Sequence, residues 1–147
     1  MSNEEEYEYI SEELAKSIRA GLSEENLAVY SPEEAVYVLK AKWENRPVEN
    51  ILFARDYDWD ITFTNEFEKK SSRLDKNLKG KILEAIIEIS RDPMTVKGRI
   101  KKPLKHDWKG KWDYQTRDFR VIYEPDPKTK NVRLVTVGPR SSVYKIK

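Results

Sequence analysis

The segment DFRVIYEP (118–125), the turn DPKTK and the segment NVRLVTVG (131–138) constrain the fold more than any other stretch. Both segments alternate and are rich in Val, Ile, Tyr and Phe. A five-residue turn containing Pro separates them, so they read as an antiparallel hairpin. KWDYQT (111–116) lies one tight turn upstream and makes a third strand. Alternation then sorts the side chains into two faces. Trp112 and Tyr114 with Phe119, Val121 and Tyr123 suit a core, while Lys111, Asp113, Gln115 and Arg120 gather on the opposite face. A sheet with one apolar face needs a cover.

The cover lies upstream. Residues 75–91 set Leu78, Ile82, Leu83, Ile86, Ile87 and Ile89 on a broad apolar helical face, and Asp92-Pro93 stops it. Residues 65–74 read as a shorter helix carrying Phe67 and Leu74, and DITFT (60–64) as a short strand. The Lys-rich stretch KGRIKKPLKHDWKGK (97–111) reads as a loop. From residue 61 the order is therefore β-α-α-β-β-β. The expected class is α+β, an antiparallel sheet packed against two helices. The other sheet face is left for work or for the N-terminal region.

That N-terminal region differs in charge. Residues 1–60 carry 15 acidic and six basic side chains, and residues 61–147 carry 11 and 22. So sharp a split predicts a polyanion partner for the basic part and attraction between the two parts. Ser11 with Glu12 and Glu13 opens one short helix, and Gly21 stops it. Ser31-Pro32-Glu33-Glu34 opens a second with a capping box, an apolar stripe of Ala35, Val36, Leu39 and Trp43, and an end before Pro47. These helices hold too few large apolar residues for a core of their own. Residues 47–60 read as a connector or arm. The expected division is an acidic helical extension, 1–60, and an α/β domain, 61–147.

The chain has no cysteine, so disulfides and thiolate metal sites are excluded. The start, MSNEEEYEY, lacks the basic and apolar pattern of a signal peptide, and no apolar run approaches the roughly 20 residues of a membrane span. A soluble cytoplasmic protein is expected, with no membrane partner.

The polar sheet face suits a phosphodiester. Lys and Arg neutralise phosphate, and aromatic rings stack on bases. Arg140 and Tyr144, past the last strand, are placed to fold over the same edge, and Lys101, Lys102, Lys105, His106 and Lys109 extend the basic surface along RNA. Cleavage of RNA by its own 2′-OH needs a base, cations on the crowded phosphate and an acid for the leaving oxygen. The sequence offers no His pair and no carboxylate cluster for a metal, so a route without metal or cofactor is expected.

The segments KPLKHDWKGKWDYQTRDFRVIYE and VRLVTVGPRSSVY resemble the RelE/ParE toxin superfamily of type II toxin–antitoxin systems, with every element of 61–147 in order. The resemblance implies a small ribonuclease-like toxin fold. RelE-like members cleave mRNA in the ribosomal A site, whereas ParE-like members poison DNA gyrase. On the RelE pattern Lys111, Arg120, Arg140 and Tyr144 fall at catalytic positions. Arg120 and Arg140 would steady the phosphate, Tyr144 would orient or stack a base, and Lys111 would help activate the 2′-OH. Asp113 and Gln115 stand where RelE has further cations; an acid there either repels phosphate or acts as a base.

The expected partners are mRNA on the ribosome and a cognate antitoxin, or the chain's own N-terminal extension acting as an antitoxin-like arm. Glu33 and Glu34 would grip the basic face, unless Leu39 and Trp43 make the grip apolar. The alternatives are a ParE-like gyrase inhibitor and an inactive binding module on the toxin scaffold.

Overall fold

The computed structural model describes residues 10–48 and 59–139. Helix α1 (Glu12–Leu22) is followed by α2 (Pro32–Trp43), β1 (Asp60–Phe63), α3 (Asn65–Ser72), α4 (Lys76–Arg91), β2 (Lys101–Pro103), β3 (Trp112–Gln115), β4 (Phe119–Asp126) and β5 (Asn131–Pro139). Their starts follow local chemistry. The Ser11 hydroxyl accepts from Leu14 N–H, and Ser31 and Glu34 form the reciprocal capping box. Thr64 and Asp75 cap α3 and α4 in the same way.

The strands form one sheet in the order β1-β5-β4-β3-β2. Two features differ from the sequence reading. The sheet is mixed, because β1 runs parallel to β5, pairing Ile61 with Val132 and Phe63 with Leu134. A parallel pair needs a long crossover, and α3, α4 and the inner strands supply it. The Lys-rich stretch is also not wholly loop, since its residues 101–103 pair antiparallel with β3. Leu104 N–H donating to the Lys111 carbonyl (2.8 Å) closes the turn between them.

Layers cover both faces of the sheet. On one face, Ala35 and Leu39 of α2, Phe67 of α3, and Ile82, Ile86 and Ile89 of α4 share a buried core with Trp112, Phe119, Val121, Tyr123 and Leu134. On the other face, Ile18 of α1 packs with Leu104, Ile122 and Val135, and Leu14, Leu22 and Trp108 fill in around them. The two N-terminal helices thus part company. α2 joins the helices that hold the core, and α1 crosses to the opposite face.

Backbone pairing fixes the crossing point. Tyr30 N–H donates to the Ile61 carbonyl at 2.8 Å, and Ile61 N–H returns the bond at 2.7 Å. This isolated bridge covers the outer edge of β1, which would otherwise offer unpaired groups. The Tyr30 ring stacks on Phe63 at 5.6 Å.

Leu39 is wholly buried in this core, as is Ile86. Leu39→Ala should cost about 2–5 kcal/mol, the same range as Ile86→Ala. Chemical denaturation of the full chain measures both. A loss below about 1 kcal/mol at Leu39 alone would place α2 outside the core.

Candidate functional site

The polar side chains expected on one sheet face are there. Gln115 stands opposite Arg120, and Asp113 opposite Ile122. The tight turn after Gln115 sets that register, so Asp113 and Arg120 become diagonal neighbours. Arg120 Nη2 lies 2.9 Å from Asp113 Oδ2, and Nε lies 3.4 Å from Oδ1. Gln115 Nε2 donates to the same carboxylate at 2.8 Å. Asp113 is completely buried and Arg120 is 3% exposed. The aspartate therefore neutralises the arginine instead of standing as an open negative charge.

A second row of charge runs across the sheet. Lys111 Nζ lies 3.6 Å from Glu124 Oε2, and Arg133 Nε lies 3.7 Å from Glu124 Oε1. Arg133 Nη1 also donates to the carbonyls of Leu22 (3.3 Å) and Glu24 (3.1 Å). A cation there suits the carbonyl-rich end of α1.

α1 lies over this face and is held at several points. Ser17 Oγ donates to Glu66 Oε2 at 2.5 Å and sits 2.5 Å from Thr136 Oγ1, all three residues being buried. Glu24 accepts from the first amides of α3, Asn65 N–H at 2.7 Å and Glu66 N–H at 3.0 Å. Arg19 stacks over the Trp108 ring, 5.5 Å from its centroid. A β-bulge prepares the seat. Ile122 pairs with Thr136 but Tyr123 pairs with Leu134, leaving Val135 unpaired between them. Two consecutive residues of β5, Val135 and Thr136, thereby both meet α1.

The other residues singled out in the sequence divide. Lys111 and Arg120 share the α1 face, and the half-buried Lys102, opposite Asp113, joins them. Lys105, His106 and Lys109 are exposed around a short 3-10 helix, His106–Trp108. Lys101 is a correction. It pairs with Tyr114, whose side chain belongs to the helix-side core, and its ammonium donates to the Asp92 carbonyl at the end of α4. It is 4% exposed and caps a helix rather than widening the basic surface. Arg140 and Tyr144 lie outside the described residues.

The Glu33–Glu34 grip is also corrected. Glu33 is exposed, Glu34 closes the capping box of α2, and α2 packs through Leu39 and Trp43 on the helix side. Among the described residues, no group of three or more His, Asp or Glu is arranged to hold a metal.

The tyrosines of the sheet are not proton donors for this face. Tyr123 donates to the Pro93 carbonyl at 2.8 Å and Tyr114 to Glu88 at 2.9 Å, both on the helix side. Burial pushes both phenols far above their ordinary range, and the Glu88 carboxylate adds to the rise at Tyr114.

Residues 61–144 match the family model of the ParE toxin of type II toxin–antitoxin systems. The chain belongs to the RelE/ParE toxin superfamily. The fold agrees with the toxin–antitoxin complex RelBE2 from Mycobacterium tuberculosis: 22% identity over 57% of this chain and 98% of that one, with a TM-score of 0.50. A YoeB/ParE toxin from Agrobacterium tumefaciens is similar at 21% identity over 54% and 96%, TM-score 0.47. The E. coli DinJ–YafQ toxin–antitoxin complex is similar at 19% over 59% and 98%, TM-score 0.41. No curated protein sequence matches the chain. The toxin-family match begins at Ile61, so α1 and α2 precede the matched toxin part.

The Asp113–Arg120 pair sets a stability test. Removing one partner of a buried pair strands the other charge and costs about 3–5 kcal/mol, whereas apolar replacement of both is far milder. Asp113→Ala should therefore destabilise more than Asp113→Leu combined with Arg120→Met. Urea titration of the full chain reads the order, and equal losses would contradict it.

Proposed function

We propose that this toxin-family chain is a ribosome-dependent mRNA endoribonuclease that arrests translation and is restrained by its own N-terminal extension. The observation that carries this reading is the position of α1. It is seated through Ile18 on the sheet face that holds Arg120 and Lys111. A basic face with an attached cover fits a toxin made in a restrained form. Restraint in cis needs no second chain, because a linker holds the helix near its seat at an effective concentration on the order of millimolar.

With α1 displaced, Arg120 exchanges Asp113 for a phosphate of the mRNA, and Arg140 adds a second cation. The 2′-OH attacks the adjacent phosphorus while the bond to the 5′ oxygen breaks, leaving a cyclic phosphate and a 5′-hydroxyl. The 2′-OH proton passes to water with the Lys111 ammonium balancing the developing charge, water returns a proton to the leaving 5′ oxygen, and Tyr144 stacks a base. The exposed Lys105, His106 and Lys109 track the backbone. The step needs no metal. Acting on ribosomes, the protein works in the cytoplasm, with mRNA as its substrate and a separate antitoxin as a further partner.

One observation favours a second reading. The Arg120 charge is already matched by a fully buried Asp113. If that pair does not open, the fold serves as a binding module or a ParE-like gyrase inhibitor.

Ile18→Asp in the full chain tests the first reading, because a carboxylate forced against Ile122 and Val135 unseats α1. Induction in cells should stop growth and create new mRNA 5′ ends inside translated codons, at least tenfold above the unchanged chain. Adding Tyr144→Ala, which removes the stacking ring, or Arg140→Ala should abolish the cuts. In a purified translation system the cuts should persist in EDTA. Arrest with broken DNA and intact mRNA would select the gyrase reading, and a folded, harmless variant the binding module.

A further inference from the structure

We propose that α1 alone is a hinged lid over the Arg120 face, turning on residues 25–29, while α2 is a permanent part of the toxin core. This deepens the proposed function and rests on it for the meaning of opening, though not for the motion itself.

Three observations separate the two helices. The first is what holds each. α2 contributes Ala35, Val38 and Leu39 to the main core, its Trp43 indole donates to Ser71 at 2.9 Å, and Tyr30 just before it is bonded both ways to β1. The buried positions of α1 are Ala15, Ser17, Ile18 and Gly21, of which only Ile18 is large. Leu14 and Leu22 add only part-buried apolar contact, and the remaining contacts are polar and exchange with water at little net cost: Ser17 with Glu66 and Thr136, Arg133 with the last carbonyls, Glu24 with the α3 amides.

The second observation is the imperfect seat. A cleft of about 330 Å³ runs beside the N-terminal half of α1, lined by Leu14, Ser17, Lys70, Leu74 and Val137 among others. Among the described residues, this side of the helix is less closely packed than the side that carries Ile18.

The third is the joint. Glu25, Asn26, Ala28 and Val29 are exposed, and Asn26 takes a left-handed φ of 59°. The segment lies between the Glu24 contact and the Tyr30 bridge, so it absorbs the turn while α2 stays in place.

Gly21 decides whether the lid closes. A Cβ there would lie 2.8 Å from Val135 Cγ1 and closer still to the Val135 carbonyl oxygen. Any side chain at 21 therefore conflicts with the bulged strand. Alanine is also the best helix former, so Gly21→Ala blocks docking without melting the helix.

The chain has no cysteine, which makes thiol reporters clean. Thr136→Cys, in the full chain, places a single thiol under α1, and Ala35→Cys places one under α2. Maleimide labelling of the first should be faster than of the second. Adding Gly21→Ala should speed the Thr136→Cys reaction at least tenfold and leave Ala35→Cys unchanged, which also shows that the core stays folded. Equal acceleration at both sites, or none at Thr136→Cys, would overturn the lid.

A second variant carries the same question without Gly21. Ser17→Cys with Thr136→Cys replaces hydroxyls 2.5 Å apart, and diamide should join the thiols while dithiothreitol frees them. If the lid reading holds, the ribosome-dependent cuts made by this reduced double variant, with glycine kept at 21, disappear on oxidation and return on reduction. If the labelling shows α1 opening alone but no condition yields cuts, the lid stands and the ribonuclease reading falls.

Discussion

The fold turns on β4 being covered from both sides. Phe119, Arg120, Val121, Ile122 and Tyr123 follow one another in the chain, and none is more than 3% exposed. A strand that faces water on one side alternates apolar and polar. β4 instead needs a layer on each face. Phe119, Val121 and Tyr123 find theirs in α2, α3 and α4, and Ile122 finds its own in α1. Full burial of Ile122 and Val135 contributes about 1.5–3 kcal/mol each. The same double cover puts Arg120 out of water, and a guanidinium in that position requires a partner such as Asp113.

The charge contrast between the two parts of the chain suggested an electrostatic grip, and the contacts are of another kind. Among the described acids of the extension, Glu24 meets the toxin part, and it lands on the amide end of α3 rather than on the lysines. An anion at a helix N-terminus is favourable for general reasons. The basic loop keeps Lys105 and Lys109 exposed while α1 is seated. Among the described residues, the helix that covers the sheet face is thus not what meets these lysines.

Much of the architecture was legible in periodicity and caps. Ser31-Pro32-Glu33-Glu34 announced α2, the Ile-rich run announced α4, and alternation placed Lys111, Asp113 and Arg120 on one face, as the register has it. Asp113 and Arg120 were already on a common face with opposite charges, so their pairing was within reach. Other features had no local signal. The parallel β1–β5 pair joins residues some seventy positions apart, and no pattern in DITF distinguishes a parallel neighbour. The bulge at Val135 interrupts an otherwise regular alternation. Lys101 looks like its neighbours in a basic run, yet strand pairing turns it toward α4. Gly21 reads as a helix stop but lies inside α1, where its value is close approach.

The parallel edge also orders events in time. Asp60 pairs with Asn131 and Phe63 with Leu134, so the sheet closes only after β5 exists. Long-range pairing of this kind is slow, and a nascent chain meets its N-terminal elements first. By the time the last strand leaves the ribosome, α1 and α2 have long been made. The face that holds Arg120 is assembled in the presence of its own cover, in a fixed one-to-one ratio that neither dilution nor uneven synthesis alters.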